Sequence, residues 1–180
     1  MSSTWSARLD ELGIALPEVV APLAAYVPAV RTGNLVYTAG QLPISGGELA
    51  EVGKVGAEVS VEDAAHLARR CALNALAAID ALVGIDAVVR VVKVVGFVAS
   101  APGFGGQPVV INGASELFGE IFGEAGAHAR SAVGVSELPR NAPVEVEVIV
   151  EVAGGDDQAE VAGGDDQAEV AGGDDQADAD

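Results

Sequence analysis

The sequence predicts an α+β domain, a mixed sheet with its helices gathered on one face. Three observations carry this. The segment after Ser60 has apolar residues at helical spacing, and the segments near 88–98 and 144–152 are rich in β-branched residues. The periodicities also fall in a fixed order: helix, two strands, helix, strand, helix, two strands. Strands and helices mixed in this way, without strict βα alternation, belong to the α+β class.

Each element has its own signals. Thr4 can cap a short first helix and Gly13 can stop it. Strands are expected near Tyr26–Arg31 and Leu35–Ala39, with Gly33-Asn34 as the turn between them. Ser60 caps a long helix, and Asp63 three residues on approximates a capping box. Within that helix Ala64, Leu67, Ala68, Cys71, Ala75, Ile79 and Leu82 form a slim apolar stripe, while Glu62, Arg69, Arg70 and Asp80 lie largely off it. Gly84 ends it. Val88–Val98 reads as a strand buried on both faces, and Pro102 to Pro108 as a glycine-rich loop. A last helix is expected over Asn112 to Phe122, then strands over Ala129–Val135 and Val144–Val152. The final strand alternates without error. Val144, Val146, Val148, Val150 and Val152 share one face, and Glu145, Glu147, Ile149 and Glu151 the other.

Composition narrows the function classes. Half the residues are hydrophobic but only 4% are aromatic, so the core must be built from Val, Ala, Leu and Ile. No apolar run reaches the roughly 18 residues that span a bilayer. The start lacks a basic segment followed by an apolar one, so no secretory signal is expected. Cys71 is the only cysteine, which excludes an internal disulfide and a thiolate metal cluster. The default compartment is a reducing cytoplasm. Net charge is -18, and ten of the 27 acids lie in residues 152–180. The rest carries 17 acids against nine bases, which argues against a nucleic-acid backbone as ligand.

The chain ends in a repeat. Val152–Glu160, Val161–Glu169 and Val170–Asp178 all follow V-A-G-G-D-D-Q-A-[ED]. Calcium-binding nonapeptides use G-G-x-G-x-D-x-U-x, but here the fourth position is Asp rather than Gly and the sixth is Ala rather than Asp. The expectation is a main domain over residues 1–153 and a solvated, disordered acidic tail over 154–180.

Common catalytic sets are absent: no G-x-S-x-G elbow, no G-K-[ST] phosphate loop, no H-E-x-x-H pair. His66 sits among helix-surface neighbours and reads as structural or solvent-facing. His128, two residues before Arg130, leaves a peripheral site role open. Cys71, on the apolar stripe, reads as an inert core residue. Arg130 and Glu145 remain. Arg130 opens a strand among small residues, which leaves room for its planar fork to take a carboxylate. Glu145 starts the final strand on its polar face. By composition alone, each also reads as a solvated charge at a sheet edge.

A resemblance bears on that choice. The run A-R-S-A-V-G-V-S-E-L-P-R-N-A-P-V-E-V-E, Ala129 to Glu147, resembles the signature of the RidA/YjgF family. Upstream, Y-V-P-A-V from Tyr26 and G-N-L-V-Y-T-A-G-Q from Gly33 resemble its N-terminal strand pair. The segments N-G-A-S-E-L-F and F-G-E-A-G-x-H-A-R-S point to a divergent branch. The resemblance covers about residues 14 to 153. It implies a chorismate-mutase-like fold, a homotrimer packed around a central barrel, and ligand sites in the clefts between subunits. It implies roles as well. Arg130 would grip a substrate carboxylate and Glu145 would position or activate water. Tyr26 would line the cleft, the Gly40 backbone would touch the ligand, and Asn112 would match a substrate-binding asparagine that stands before the last helix. There are departures: Asn112 is one residue further from Arg130 than the pattern, Ala132 stands where many members have cysteine, Ala39 replaces a frequent serine, and Pro28 a familiar glutamine.

The implied reaction is hydrolysis of a reactive enamine or imine, such as 2-aminoacrylate or a 2-imino acid, to a 2-oxo acid and ammonia. No metal or organic cofactor is called for. Two alternatives stay open: binding of a small carboxylate metabolite without turnover, and hydrolysis of a related catabolic enamine or carbamate.

Overall fold

A computed structural model describes residues 4–19 and 25–154. The nonapeptide repeats lie almost wholly outside these residues. Helix α1 spans Trp5–Leu12, strands β1 and β2 Ala29–Thr32 and Leu35–Thr38, and helix α2 Val61–Val83. Strand β5 spans Val88–Ala99, helix α3 Gln107–Phe122, β6 Ala129–Val135 and β7 Val144–Val152. Between β2 and α2 lies a small hairpin, β3 (Ile44–Ser45) and β4 (Glu48–Leu49). The main sheet has the order β1-β2-β7-β5-β6. It is antiparallel except for β5 and β6, which run parallel because α3 carries the chain back between them. This is the predicted α+β fold with a mixed sheet, and α2 and α3 cover one face of it.

Local chemistry explains the ends. Thr4 Oγ1 accepts from the Ala7 amide at 3.3 Å, and Gly13 closes α1 at φ 65°. Ser60 Oγ accepts from the Asp63 amide at 3.0 Å. Asp63 completes the cap differently from a capping box: its carboxylate takes the Ser60 hydroxyl rather than the Ser60 amide. The third helix begins at Gln107, five residues before its expected start. Pro108 had argued for a loop there, but proline in the first turn loses no helical hydrogen bond and arrives with the right φ. The first strand starts at Ala29 rather than Tyr26, since Pro28 has no amide for the ladder.

The five alternating valines of β7 are all 1% exposed or less, each burial stabilising by about 1.5–3 kcal/mol. They pack against the alanine-rich face of α2. That face is wider than the predicted stripe, because Ala72, Leu76, Ala77 and Ala78 are buried with it, whereas Leu82 is 45% exposed beyond its end. Buried Asn74 donates to the Leu42 and Ile44 carbonyls and holds the small hairpin down. The two large helices touch closely at Gly113, where a methyl group would overlap the Ala65 carbonyl of α2. Trp5 joins α1 to this layer, edge-on to Phe122 and donating to the Val88 carbonyl at 2.7 Å.

The opposite sheet face is open. The prediction that β5 is buried on both faces does not hold within one chain: Val89 and Arg90 are exposed, and Val92, Lys93, Val95 and Phe97 are only half-buried. Among the described residues no helix crosses that side of the sheet. Exposed Val30, Tyr37 and Val133 share it with Glu145 and Glu147. Among the described residues no helix is long and apolar enough to cross a membrane.

Candidate functional site

Strand parity places the two principal candidates on different sides of the sheet. Arg130 pairs with Val94, which pairs with Val148, and these two belong to the buried, helix-facing side. Glu145 pairs with Phe97, which pairs with Val133, on the open side. One chain therefore holds two candidate half-sites rather than one cluster.

The first half-site is on β6, an edge strand, under α3. Arg130 Nη1 donates to Asn112 Oδ1 at 2.8 Å and to Ser115 Oγ at 3.1 Å, and Nη2 donates to the Pro108 carbonyl at 3.3 Å. Pro108, Asn112 and Ser115 recur at helical spacing, so one stripe of α3 supplies all three acceptors. A guanidinium has five N–H groups. Among the described residues three are occupied, which leaves Nε–H and one N–H of Nη2 for a ligand. These are neighbouring donors on one edge of a plane, the arrangement that binds both oxygens of a carboxylate. The structure thus brings Arg130 and Asn112 together. It also adds Ser115, which sequence reading passed over although it lies one turn from Asn112.

The second half-site is on the open face. Glu145 is half-buried, and among the described residues no donor reaches its carboxylate. Burial raises its pKa, and the charge of Glu147 two residues along the same face raises it further. Burial raises that of Glu147 as well. Gly40 makes room for Glu145. A methyl group on Gly40 would overlap Glu145 Oε1 and stand 2.7 Å from its Cδ. Gly40 sits in a bulge: three residues separate Tyr37 from Gln41, while only two separate their partners Ile149 and Val146. The bulge turns the Gly40 backbone onto the carboxylate. Lys93, on the same face, donates to Ser131 Oγ at 3.0 Å.

Tyr26 belongs to the sheet edge opposite Arg130. It lies three residues before β1 and is 45% exposed. Strands β1 and β6 are the two edges of the sheet, four strand spacings or roughly 19 Å apart. Cys71 is fully buried, its Sγ 3.7 Å from the Val144 carbonyl, and burial pushes its thiol pKa well up. An inert core role follows. His66 is exposed on α2. Among the described residues no group of three or more His, Cys, Asp or Glu could hold a metal ion.

Comparison with known proteins gives this arrangement its family. The chain is 44% identical to protein TCP17 of Trypanosoma cruzi over 153 residues, 84% of this chain and 96% of that protein. Among solved structures, Atu1372 from Agrobacterium tumefaciens is 46% identical with a TM-score of 0.76, over 83% of this chain and 92% of that one. TdcF from E. coli, solved with bound serine, is 26% identical with a TM-score of 0.52, over 76% and 93% of the two chains. Solved YjgF and RidA proteins share the fold. A family model described as endoribonuclease L-PSP matches residues 17–152. The chain therefore belongs to that family, the YjgF/RidA family.

Proposed function

We propose that this protein hydrolyses small 2-imino acids and their enamine tautomers, such as 2-aminoacrylate, to 2-oxo acids and ammonia, at sites completed between the subunits of a homotrimer. The observation that carries the reading is the state of Arg130. Three of its N–H groups are spent on α3 and two adjacent ones are left, which suits a carboxylate. That TdcF was solved with bound serine, a small molecule with a carboxylate beside a nitrogen-bearing carbon, supports the same ligand class.

Assembly follows from the half-sites. Arg130 is at one edge of the sheet, Glu145 is on the open face, and the apolar side chains around Glu145 lack a covering layer. A neighbouring copy that covered this face could bring its Arg130 edge toward Glu145. Closed rings of identical subunits meet such a requirement with one repeated contact.

The chemistry is then short. Arg130 of one subunit holds the substrate carboxylate and fixes C2 of the protonated imine, an electrophile. Glu145 of the adjacent subunit takes a proton from water as its oxygen bonds to C2. The resulting carbinolamine receives that proton on nitrogen. The C–N bond breaks, ammonia leaves, and loss of the hydroxyl proton gives the 2-oxo acid. A carboxylate whose pKa is raised by burial is a better base than a solvated one, which fits Glu145 to this step. RNA fits poorly, despite the description of the family model. The residues before the tail carry 17 acids against nine bases, and Glu145, Glu147 and Glu151 are all on the open face.

The test is Arg130→Ala, assayed with an imine generated in situ by an amino-acid oxidase. Activity should fall to background with the fold intact. Turnover equal to the parent would overturn the reading. Arg130-dependent binding of a 2-oxo acid without any release of ammonia would replace it by the non-catalytic one.

A further inference from the structure

We propose that Ser115 and His128 are positioning residues that set the Arg130 guanidinium for its ligand. The proposal rests on the carboxylate-binding reading of Arg130 given above.

The hydrogen bonds around these residues form a chain with one direction. His128 Nδ1 is 2.6 Å from the Gly126 carbonyl, which can only accept. That contact puts a proton on Nδ1 and leaves Nε2 as an acceptor in the neutral ring. Ser115 Oγ is 3.0 Å from Nε2, so its hydroxyl donates there. The lone pairs of Ser115 are then turned toward Arg130 Nη1, which donates to Oγ at 3.1 Å. The sequence of donors is Arg130, Ser115, His128, ending on a backbone carbonyl. Each bond polarises the next.

Packing holds the far end of the chain. The His128 ring stands edge-on to buried Phe118, with centroids 5.8 Å apart and an interplanar angle of 89°. Ser115 and His128 also flank Arg130 in a surface cavity of about 440 Å³ whose wall includes Gly119, Gly123 and Gly126. The ring is therefore fixed by a carbonyl on one side and an aromatic edge on the other. Through Ser115 it fixes one Nη1 hydrogen, while Asn112 fixes the second. With both Nη1 hydrogens anchored, the guanidinium cannot rotate about its C–N bonds without breaking a charge-assisted bond. The free donor pair stays aimed at the same place before substrate arrives.

The test uses pyruvate as the probe and compares Ser115→Ala, His128→Phe, the double variant, Ser115→Thr and His128→Gln. Phenylalanine keeps the ring packing and removes the acceptor. Threonine and glutamine restore the hydroxyl and the acceptor. Ser115→Ala and His128→Phe should each weaken pyruvate binding and raise KM on the order of tenfold, with kcat much less affected. The double variant should be no worse than either single one, since the two act in series. The restoring variants should recover most of the loss. Slow exchange between Nη1 and Nη2 of Arg130, read by ¹⁵N NMR, should become fast in the two disrupting variants. Parent-like pyruvate binding and slow Arg130 exchange in Ser115→Ala or His128→Phe would overturn the proposal. So would additive losses in the double variant. Arg130→Ala separates the two levels. If it binds pyruvate as the parent does, or if the parent binds none, the carboxylate reading fails and takes the proposal with it. If it alone loses binding, the carboxylate reading stands and the positioning role falls.

Discussion

Gly40→Ala probes the open-face half-site with a single methyl group. The new Cβ would overlap Glu145 Oε1 and lie 2.7 Å from Cδ and 3.1 Å from Cγ. Carbon atoms in contact settle at about 3.5–4.0 Å, so the Glu145 carboxyl must move by about 1 Å. A catalytic group displaced by about 1 Å can lose on the order of 100-fold in rate. The backbone should tolerate the change, because Gly40 is not among the glycines with a left-handed φ. The assay is kcat/KM on an oxidase-generated imine, alongside thermal unfolding. We expect a fall of roughly 100-fold in kcat/KM with a melting temperature close to that of the parent. A Gly40→Ala/Glu145→Ala double variant should be no less active than Glu145→Ala alone, because both act on one group. Full activity in Gly40→Ala, or fully additive losses in the double variant, would refute the coupling of Gly40 to Glu145.

Three further outcomes follow from the same structure. Glu145 has its folded-state pKa raised by burial and by Glu147, so its ionisation opposes folding. That penalty is absent below the unfolded-state value and complete above the folded one. Glu145→Gln should therefore unfold at higher denaturant than the parent at pH 7, with the difference vanishing by about pH 4. Gly113→Ala would set a methyl against the Ala65 carbonyl carbon at 2.7 Å. Two helix backbones must part, and urea unfolding should show a loss of about 1–3 kcal/mol. Val133→Asp puts a charge on the open face where valine is 44% exposed. Sedimentation should show a smaller assembly, and activity should fall with it.

The elements legible in the sequence were those with long, clean periodicity. The bounds of β6 and β7 are as expected, because an unbroken alternation and the Leu138-Pro139 turn leave little choice. Helix α2 is legible from its cap and its stripe. The hairpin of β3 and β4 was not, because two-residue strands carry no period and Asn74 holds them from a distance. The start of α3 was hidden by Pro108, whose helix-compatible position depends on where the helix begins. At the site, residue type and resemblance singled out Arg130, Glu145, Gly40 and Asn112. Their grouping needed coordinates. Parity within β7 puts Glu145 opposite the valines, but β6 is built of small residues that mark neither face. That Arg130 turns toward α3 and Glu145 away from it follows only from the register of both strands on β5. Proximity to Arg130 leaves a peripheral site role open for His128, and helical spacing to Asn112 could have pointed to Ser115, but their mutual contact is not legible in the sequence.

The claim on which the account turns is that the site forms between copies, and mixing two inactive variants tests it most directly. Arg130→Ala and Glu145→Gln are each expected to lack deaminase activity. Unfolded together in equal amounts and refolded, with mixed trimers verified by mass spectrometry, the whole population should regain about one quarter of the parental activity. In a closed ring with random occupancy, that is the fraction of interfaces that meets an intact Arg130 with an intact neighbouring Glu145. Verified mixed trimers with no recovery would contradict the account, because they would place both residues of each working site in a single chain.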